Sequence, residues 1–297
     1  VIWTRQKERG SVAALRLMAW MVTRLGYGFG YALLWPIAGY FFLSSPRQRQ
    51  AVRHFQRRAL GRNPTTSDIF RPFFIFSATL LDRLYLLGNR FSGYDLRVFG
   101  LDLLNQHIAR GKGCILLGAH LGSFNAMQAV ADTGCPVEVV ALMHQQNATK
   151  SASFFAEWAP KQAAVVIPLG QPNAMLRAKE CLDRGGLVGI LADRTPGTGK
   201  VVRIPFLGDA ASFPLGPHIL AGVLDAPVMI AFGVWTGRRR YEVHFELFAD
   251  RIDLDRRNRQ ALLEAAAARY AAHLESVAVR FPYNWFNFYD FWEEMDA

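Results

Sequence analysis

Cysteine is scarce in this 297-residue chain, and the three cysteines, Cys114, Cys135 and Cys181, have no paired spacing. An odd count without a CxxC argues against a zinc centre and for a reducing compartment. Acidic residues are also few: 24 Asp and Glu against 34 Lys and Arg, a net charge of +10. Such a balance calls for an acidic partner. No recognised nucleic-acid motif accompanies the basic groups at Arg47 to Arg62, Arg238 to Arg240 and Arg256 to Arg259, so nucleic acid is not expected. The chain shows no internal repeat, no low-complexity linker and no small-residue cleavage site of the signal-peptide kind. It also lacks a Gly-X-Ser-X-Gly elbow, since Gly122-Ser123-Phe124 does not supply one, which argues against a serine hydrolase of that design.

Apolar residues, by contrast, are abundant. They make up 51% of the chain, enough for a large α/β core. From Val12 to Leu43 the sequence is mostly apolar, and Leu25 to Leu43 runs without a charge, near the length that spans a bilayer. Gly26, Gly28, Gly30, Pro36 and Gly39 weaken it as a straight helix. A membrane-embedded hairpin or single span, an interfacial helix and a buried helix pair all remain open for this segment. Flanking arginines and the Trp and Tyr content favour membrane association. Residues 1–62 are therefore expected to form an N-terminal membrane-associated helical region, and residues 63–297 an α/β domain. Ser45 to Leu60 reads as a basic helix, either a solvated face or a contact for lipid phosphates. Thr66 to Leu87 reads as a long helix, with Asp82-Arg83 as an ion pair near its end.

The rest alternates. Short apolar runs at Cys114 to Leu117, Val137 to Leu142, Ala163 to Pro168 and Leu187 to Ala192 are strands. Helices are expected at Phe99 to Ala109, from Ser123, at Thr149 to Trp158 and at Asn173 to Arg184. This order predicts an α/β fold with a mixed, largely parallel central sheet flanked by helices. Val201 to Pro205, Pro227 to Val234 and Tyr241 to Leu247 are further strands, the last two a possible hairpin. A helix spans Asp255 to Val279, and Gly197-Thr-Gly199 is the most flexible-looking loop.

One stretch organises the chain: Gly113-Cys-Ile-Leu-Leu-Gly-Ala-His-Leu-Gly-Ser-Phe-Asn-Ala-Met-Gln128. It reads as a buried strand, a turn eased by Gly118 and Gly122, and a helix capped by Ser123. His120 falls at the carboxyl end of the strand, where open α/β sheets place ligands. Asn125 lies five residues on, within reach of the imidazole. A histidine held by a hydrogen-bond acceptor is the minimum apparatus for removing a proton from a hydroxyl. Asp193-Arg194 follows another strand end, and Arg supplies forked donors suited to phosphate.

The segment His120-Leu-Gly-Ser-Phe-Asn125 resembles the His-X4-Asp/Glu motif of the glycerolipid and lysophospholipid acyltransferase superfamily. The likeness is closer to the bacterial late acyltransferases of lipid A biosynthesis. The downstream Asp193-Arg194 loop, Phe206-Leu-Gly208 turn and Ser212-Phe-Pro-Leu-Gly-Pro217 helix start follow in the order that family uses. The end, Phe281-Pro-Tyr-Asn-Trp-Phe-Asn-Phe-Tyr-Asp-Phe-Trp292, is similar to the family's aromatic tail. The likeness covers roughly residues 95–292 and departs at Asn125, where the family has an acid.

The resemblance implies acyl transfer from an acyl carrier protein or coenzyme A thioester to a hydroxyl of a lipid or glycolipid. His120 would be general base, with Asn125 in the orienting position. Gly122, Ser123, Gln146, Asn147, Asp193, Arg194 and Arg203 would bind substrate, the Gly122 and Ser123 amides meeting the oxyanion and Arg194 an anionic group. Neither metal nor cofactor is expected. The expected location is the cytoplasmic face of the bacterial inner membrane. The alternative is a catalytically disabled lipid- or acyl-carrier-binding protein, for which Asn125 speaks.

Overall fold

The structure, a computed structural model, describes residues 12–88, 91–134, 137–144, 154–155, 157–158, 165–195 and 199–293. Nine strands are described: β1 (Asp95–Phe99), β2 (Cys114–Gly118), β3 (Val139–His144), β4 (Val165–Leu169), β5 (Leu187–Leu191), β6 (Val201–Phe206), β7 (Asp209–Pro214), β8 (Val228–Gly237) and β9 (Arg240–Ala249). Seven of them form one sheet in the order β1-β9-β8-β2-β5-β3-β4, while β6 and β7 make a separate antiparallel ribbon. Only β8 and β9 pair antiparallel in the large sheet. The fold is α/β with a mostly parallel central sheet, as the alternation predicts. All five residues of β2 are buried between β5 and β8, which is why its sequence is continuously apolar and not alternating.

The helices are α1 (Val12–Leu25), α2 (Tyr27–Ser44), α3 (Pro46–Ala59), α4 (Thr66–Leu86), α5 (Leu101–Ala109), α6 (Phe124–Gly134), α7 (Ala174–Asp183), α8 (Gly216–Leu224) and α9 (Arg259–Arg280). Gly26, at φ +87°, separates α1 from α2. From Tyr27 on, the long charge-free run is the single helix α2, and no helix among the described residues is long and apolar enough to cross a membrane. On α2, Tyr27, Gly30, Leu34 and Ala38 form one buried stripe, the spacing of a helix face laid on a neighbour. Much of the remaining surface of α1 and α2 is apolar and open to solvent, including Trp20 and Trp35, each 57% exposed, and Leu43, 72% exposed.

Two strands escape the sequence reading. β1 is a five-residue edge strand with alternating exposure, too short to stand out beside the helix that follows. β7 lies in the Gly- and Pro-punctuated stretch read as a turn. The expected helix from Thr149 to Trp158 and the loop Gly197-Thr-Gly199 lie largely outside the described residues.

The N-terminal helices and the rest of the chain interlock. Gln56 on α3 donates to the Pro282 carbonyl at 2.7 Å, and His54 meets Asp290 at 2.8 Å. Arg58 bonds Asp209 at 2.7 Å while stacking on Trp292. At the start of α4, Asp68 closes a capping box with Thr65 and also accepts from Tyr283 at 2.7 Å.

The expected Asp82-Arg83 ion pair is corrected. The two side chains leave α4 on different faces. Asp82, fully buried, accepts phenol hydrogen bonds from Tyr27 (2.8 Å), Tyr94 (2.7 Å) and Tyr241 (2.7 Å). One carboxylate thereby joins α2, α4, the approach to β1, and β9. Removing it leaves three hydroxyls in an interior that penalises each unpaired polar group by about 1–3 kcal/mol. Asp82→Ala should therefore lose about 3–5 kcal/mol in urea unfolding, and an unchanged unfolding midpoint would show that the cluster contributes nothing.

Candidate active site

The register of two parallel strands builds the site. Gly118 on β2 pairs with Leu191 on β5, and two residues beyond each partner stand His120 and Asp193. Ala192 continues the ladder by donating to the Gly118 carbonyl at 3.0 Å. Both residues thus leave adjacent strands at their carboxyl ends, on the side where such sheets bind ligands.

Asp193 is completely buried. Its Oδ1 accepts from His120 Nδ1 at 2.8 Å, and its Oδ2 accepts from the His120 backbone amide and the Trp285 indole, both at 3.0 Å. Burial pushes the Asp193 carboxyl up, but the His120 ring, its hydrogen bond, Arg194 and the indole outweigh it and hold the group down at about 2. A carboxylate only accepts, so Nδ1 carries the proton and Nε2 presents its lone pair. The imidazole, 26% exposed, is held below its ordinary value first by desolvation and then by the positive charge of Arg194; Asp193 opposes both. It is neutral at pH 7. No hydrogen bond engages Nε2 among the described residues.

Asn125 is not the group that orients this ring. Its amide nitrogen donates to Gln128 Oε1 at 3.3 Å, one turn along α6, and it makes no hydrogen bond to His120. The carboxylate comes instead from Asp193, which the sequence reading placed among substrate-binding residues.

The expectation for Gly122 and Ser123 also changes. Gly122 has φ +73°, and a Cβ there would collide with the Gly233 carbonyl, so the close approach inferred from the sequence is real. That approach engages both amides: Gly122 donates to the Asn284 carbonyl at 2.8 Å and Ser123 to that of Gly233 at 2.6 Å. Neither is open to a reacting oxygen. Ser123 Oγ accepts from the Ala126 amide at 3.3 Å, the expected cap of α6. The amides left at the start of α6 are those of Phe124 and Asn125.

The aromatic tail is the third wall. Residues 284–286 run antiparallel to the His120 loop: Leu121 bridges Trp285, and the Phe286 amide donates to the His120 carbonyl at 2.9 Å. Trp285, 1% exposed, meets Phe55, Phe206 and Phe291 edge-on. Arg194 reaches this tail, donating to Asn287 Oδ1 and the Phe286 carbonyl, each at 3.1 Å. Arg203 sits on the β6–β7 ribbon, donates to the Ala210 carbonyl at 3.2 Å and makes no hydrogen bond to His120 or Asp193. Gln146 and Asn147 lie outside the described residues. Trp285 is the functional residue that sequence reasoning missed, although the tail pattern had marked it.

The dyad has a direct spectroscopic test. The His120 ring should titrate below 6.5 in an NMR pH series, with the proton on Nδ1 in the neutral form. Arg194→Met should raise that midpoint, and Asp193→Asn should lower it further, because the one removes a positive and the other a negative neighbour. A midpoint unmoved by either change would mean that neither charge acts on the ring.

Among known families and curated proteins the sequence finds no counterpart: no family model matches it, and no curated protein matches it.

Proposed function

We propose that the chain is an O-acyltransferase, moving an acyl chain from an acyl carrier protein or coenzyme A thioester to a hydroxyl of a lipid or glycolipid. The observation that carries this reading is the neutral His120 ring, fixed through Nδ1 by a buried carboxylate and open at Nε2. A base of this kind acts on a hydroxyl, and the loop has only one. Ser123, its one hydroxyl, is engaged as a helix cap. As the resemblance implies, the nucleophile is the substrate's oxygen, and no acyl-enzyme is required. The motif resemblance and the apolar cluster of Phe74, Phe154, Phe155 and Phe286 beside the loop support a lipid substrate.

In the proposed reaction the acceptor hydroxyl gives its proton to Nε2 as its oxygen attacks the thioester carbonyl. Asp193 stabilises the imidazolium. The α6 amino terminus, with the Phe124 and Asn125 amides, meets the oxyanion. The tetrahedral species collapses with loss of thiolate, which recovers the proton from His120 and leaves as thiol. The alternative of a disabled binding protein drew on Asn125. With Asp193 on the ring, that residue no longer favours it.

The partners follow from the same reading: a thioester donor, a lipid acceptor and a membrane surface at the cytoplasmic face of the bacterial inner membrane. The open apolar face of α1 and α2 would lie in the interface without spanning it, and the exposed Arg47, Arg53 and Arg57 of α3 would meet lipid phosphates.

Purified protein should consume acyl thioester only when acceptor lipid is added. His120→Ala should be inactive, and Asp193→Asn should lose about 10⁴ in turnover through the wrong tautomer. Because the base must be neutral, kcat/KM should fall on the acid side with an apparent pKa below 6.5. Turnover without acceptor, or full activity of His120→Ala, would sink the reading. In vesicle flotation, replacing Trp20 and Trp35 together by Glu should abolish binding to anionic vesicles. Undiminished binding would remove that face from the interface.

A further inference from the structure

Among the described residues Arg83 is a cation without an anion. Its guanidinium lies 4.0 Å from the centre of the Phe155 ring, and its Nε is buried with no hydrogen-bond partner. No carboxylate pairs with it among the described residues, and its neighbour Asp82 is engaged by three tyrosines. Desolvation draws its pKa down to about 10, so it remains charged at neutral pH. A ring face offsets part of the cost of burying a cation. It does not supply an acceptor for the buried Nε–H, and the residue as a whole is only half-buried, which leaves the rest of the guanidinium within reach of a ligand.

The location gives this cation a use. Arg83 lies seven residues beyond Phe76 on α4, two turns along nearly the same face, or about 10 Å of helix. Phe76 packs edge-on against Phe286, whose amide holds the His120 carbonyl. Phe155, under the guanidinium, belongs to the same apolar cluster as Phe286. The wall formed by α4 therefore carries an aromatic surface next to the dyad and an uncompensated positive charge farther along. Arg194, the arginine whose charge acts on the ring, is already bonded to the tail.

We propose that Arg83 is a phosphate-binding residue on the aromatic wall that α4 sets beside the His120 loop, completed when a phosphate ester brings the missing oxygens. The choice of probes rests on the acyltransferase reading; the site itself does not. The phosphate could belong to the acceptor lipid or to the pantetheine arm of the donor, and one experiment separates them.

Equilibrium binding would be measured for native protein, Arg83→Gln, Arg83→Lys and Arg83→Met. The probes are a lysophosphatidate, the matching monoacylglycerol and an acyl-coenzyme A. Melting temperatures would be recorded with and without each. For the phosphate ligand that Arg83 holds, Arg83→Gln should weaken affinity about 10- to 100-fold, with partial recovery in Arg83→Lys. Monoacylglycerol affinity should stay level. A loss confined to lysophosphatidate assigns the acceptor's phosphate, and a loss confined to acyl-coenzyme A the donor's. Without ligand, Arg83→Met should melt higher than the native protein, because a half-buried charge with an unpartnered Nε is gone. The proposal is overturned if all three affinities are unchanged, whichever way Arg83→Met melts; a lower melting temperature then marks a packing residue. Equal weakening of monoacylglycerol would overturn it too. Since the readout is binding and melting, neither result depends on whether acyl transfer is observed.

Discussion

A single buried carboxylate, Asp193, holds the working end of this molecule together. It accepts from the His120 amide, the His120 ring and the Trp285 indole, and so joins the loop after β2, the end of β5 and the aromatic tail. A lone carboxylate would not stay ionised without solvent. Three donors and a nearby guanidinium reverse that tendency, and the same bonds aim the imidazole. Structure and chemistry are here one constraint. The group that keeps the tail on the sheet is the group that fixes the tautomer of His120.

Much of this was legible in the sequence, and the part that was not has a definite cause. Each half of the dyad can be read as a residue at the carboxyl end of an apolar strand, because burial on both faces leaves a continuous hydrophobic run. What a run cannot carry is the identity of its neighbour. β2 and β5 are separated in the chain by β3 and β4 yet lie side by side, and only that order brings Asp193 to His120. Sequence spacing therefore favoured Asn125, which is close along the chain but turned toward Gln128 on α6. The same limit explains the two amides of Gly122 and Ser123. Their glycine-eased turn was visible, but the carbonyls of Asn284 and Gly233 that engage them come from distant segments.

Asp82 and Arg83 make the same point from neighbouring positions. As a dipeptide they read as an ion pair, since opposite charges beside each other suggest one. A helix turns successive side chains about 100° apart, so the pair separates into two environments. One finds three phenols, and the other an aromatic ring and, among the described residues, no acceptor for its Nε. The aromatic tail was marked in the sequence as a family-like pattern. Its indole hydrogen bond to a buried acid was not, because that bond is specified by the fold and not by the order of residues.

The reach of the tail's contacts also bears on how the molecule comes to exist. Trp285 and Asp193 are 92 residues apart in the chain, and Asp193 and His120 are 73 apart. Contacts of such separation form late, since chain entropy must be overcome before they contribute. During synthesis the strands that carry His120 and Asp193 leave the ribosome before residues 284–287 exist. Until those residues arrive, Asp193 lacks its indole donor and the His120 loop lacks the strand that runs beside it. The His120–Asp193 pair is thus completed by a segment made after both of its members, and a nascent or truncated chain carries it incompletely assembled.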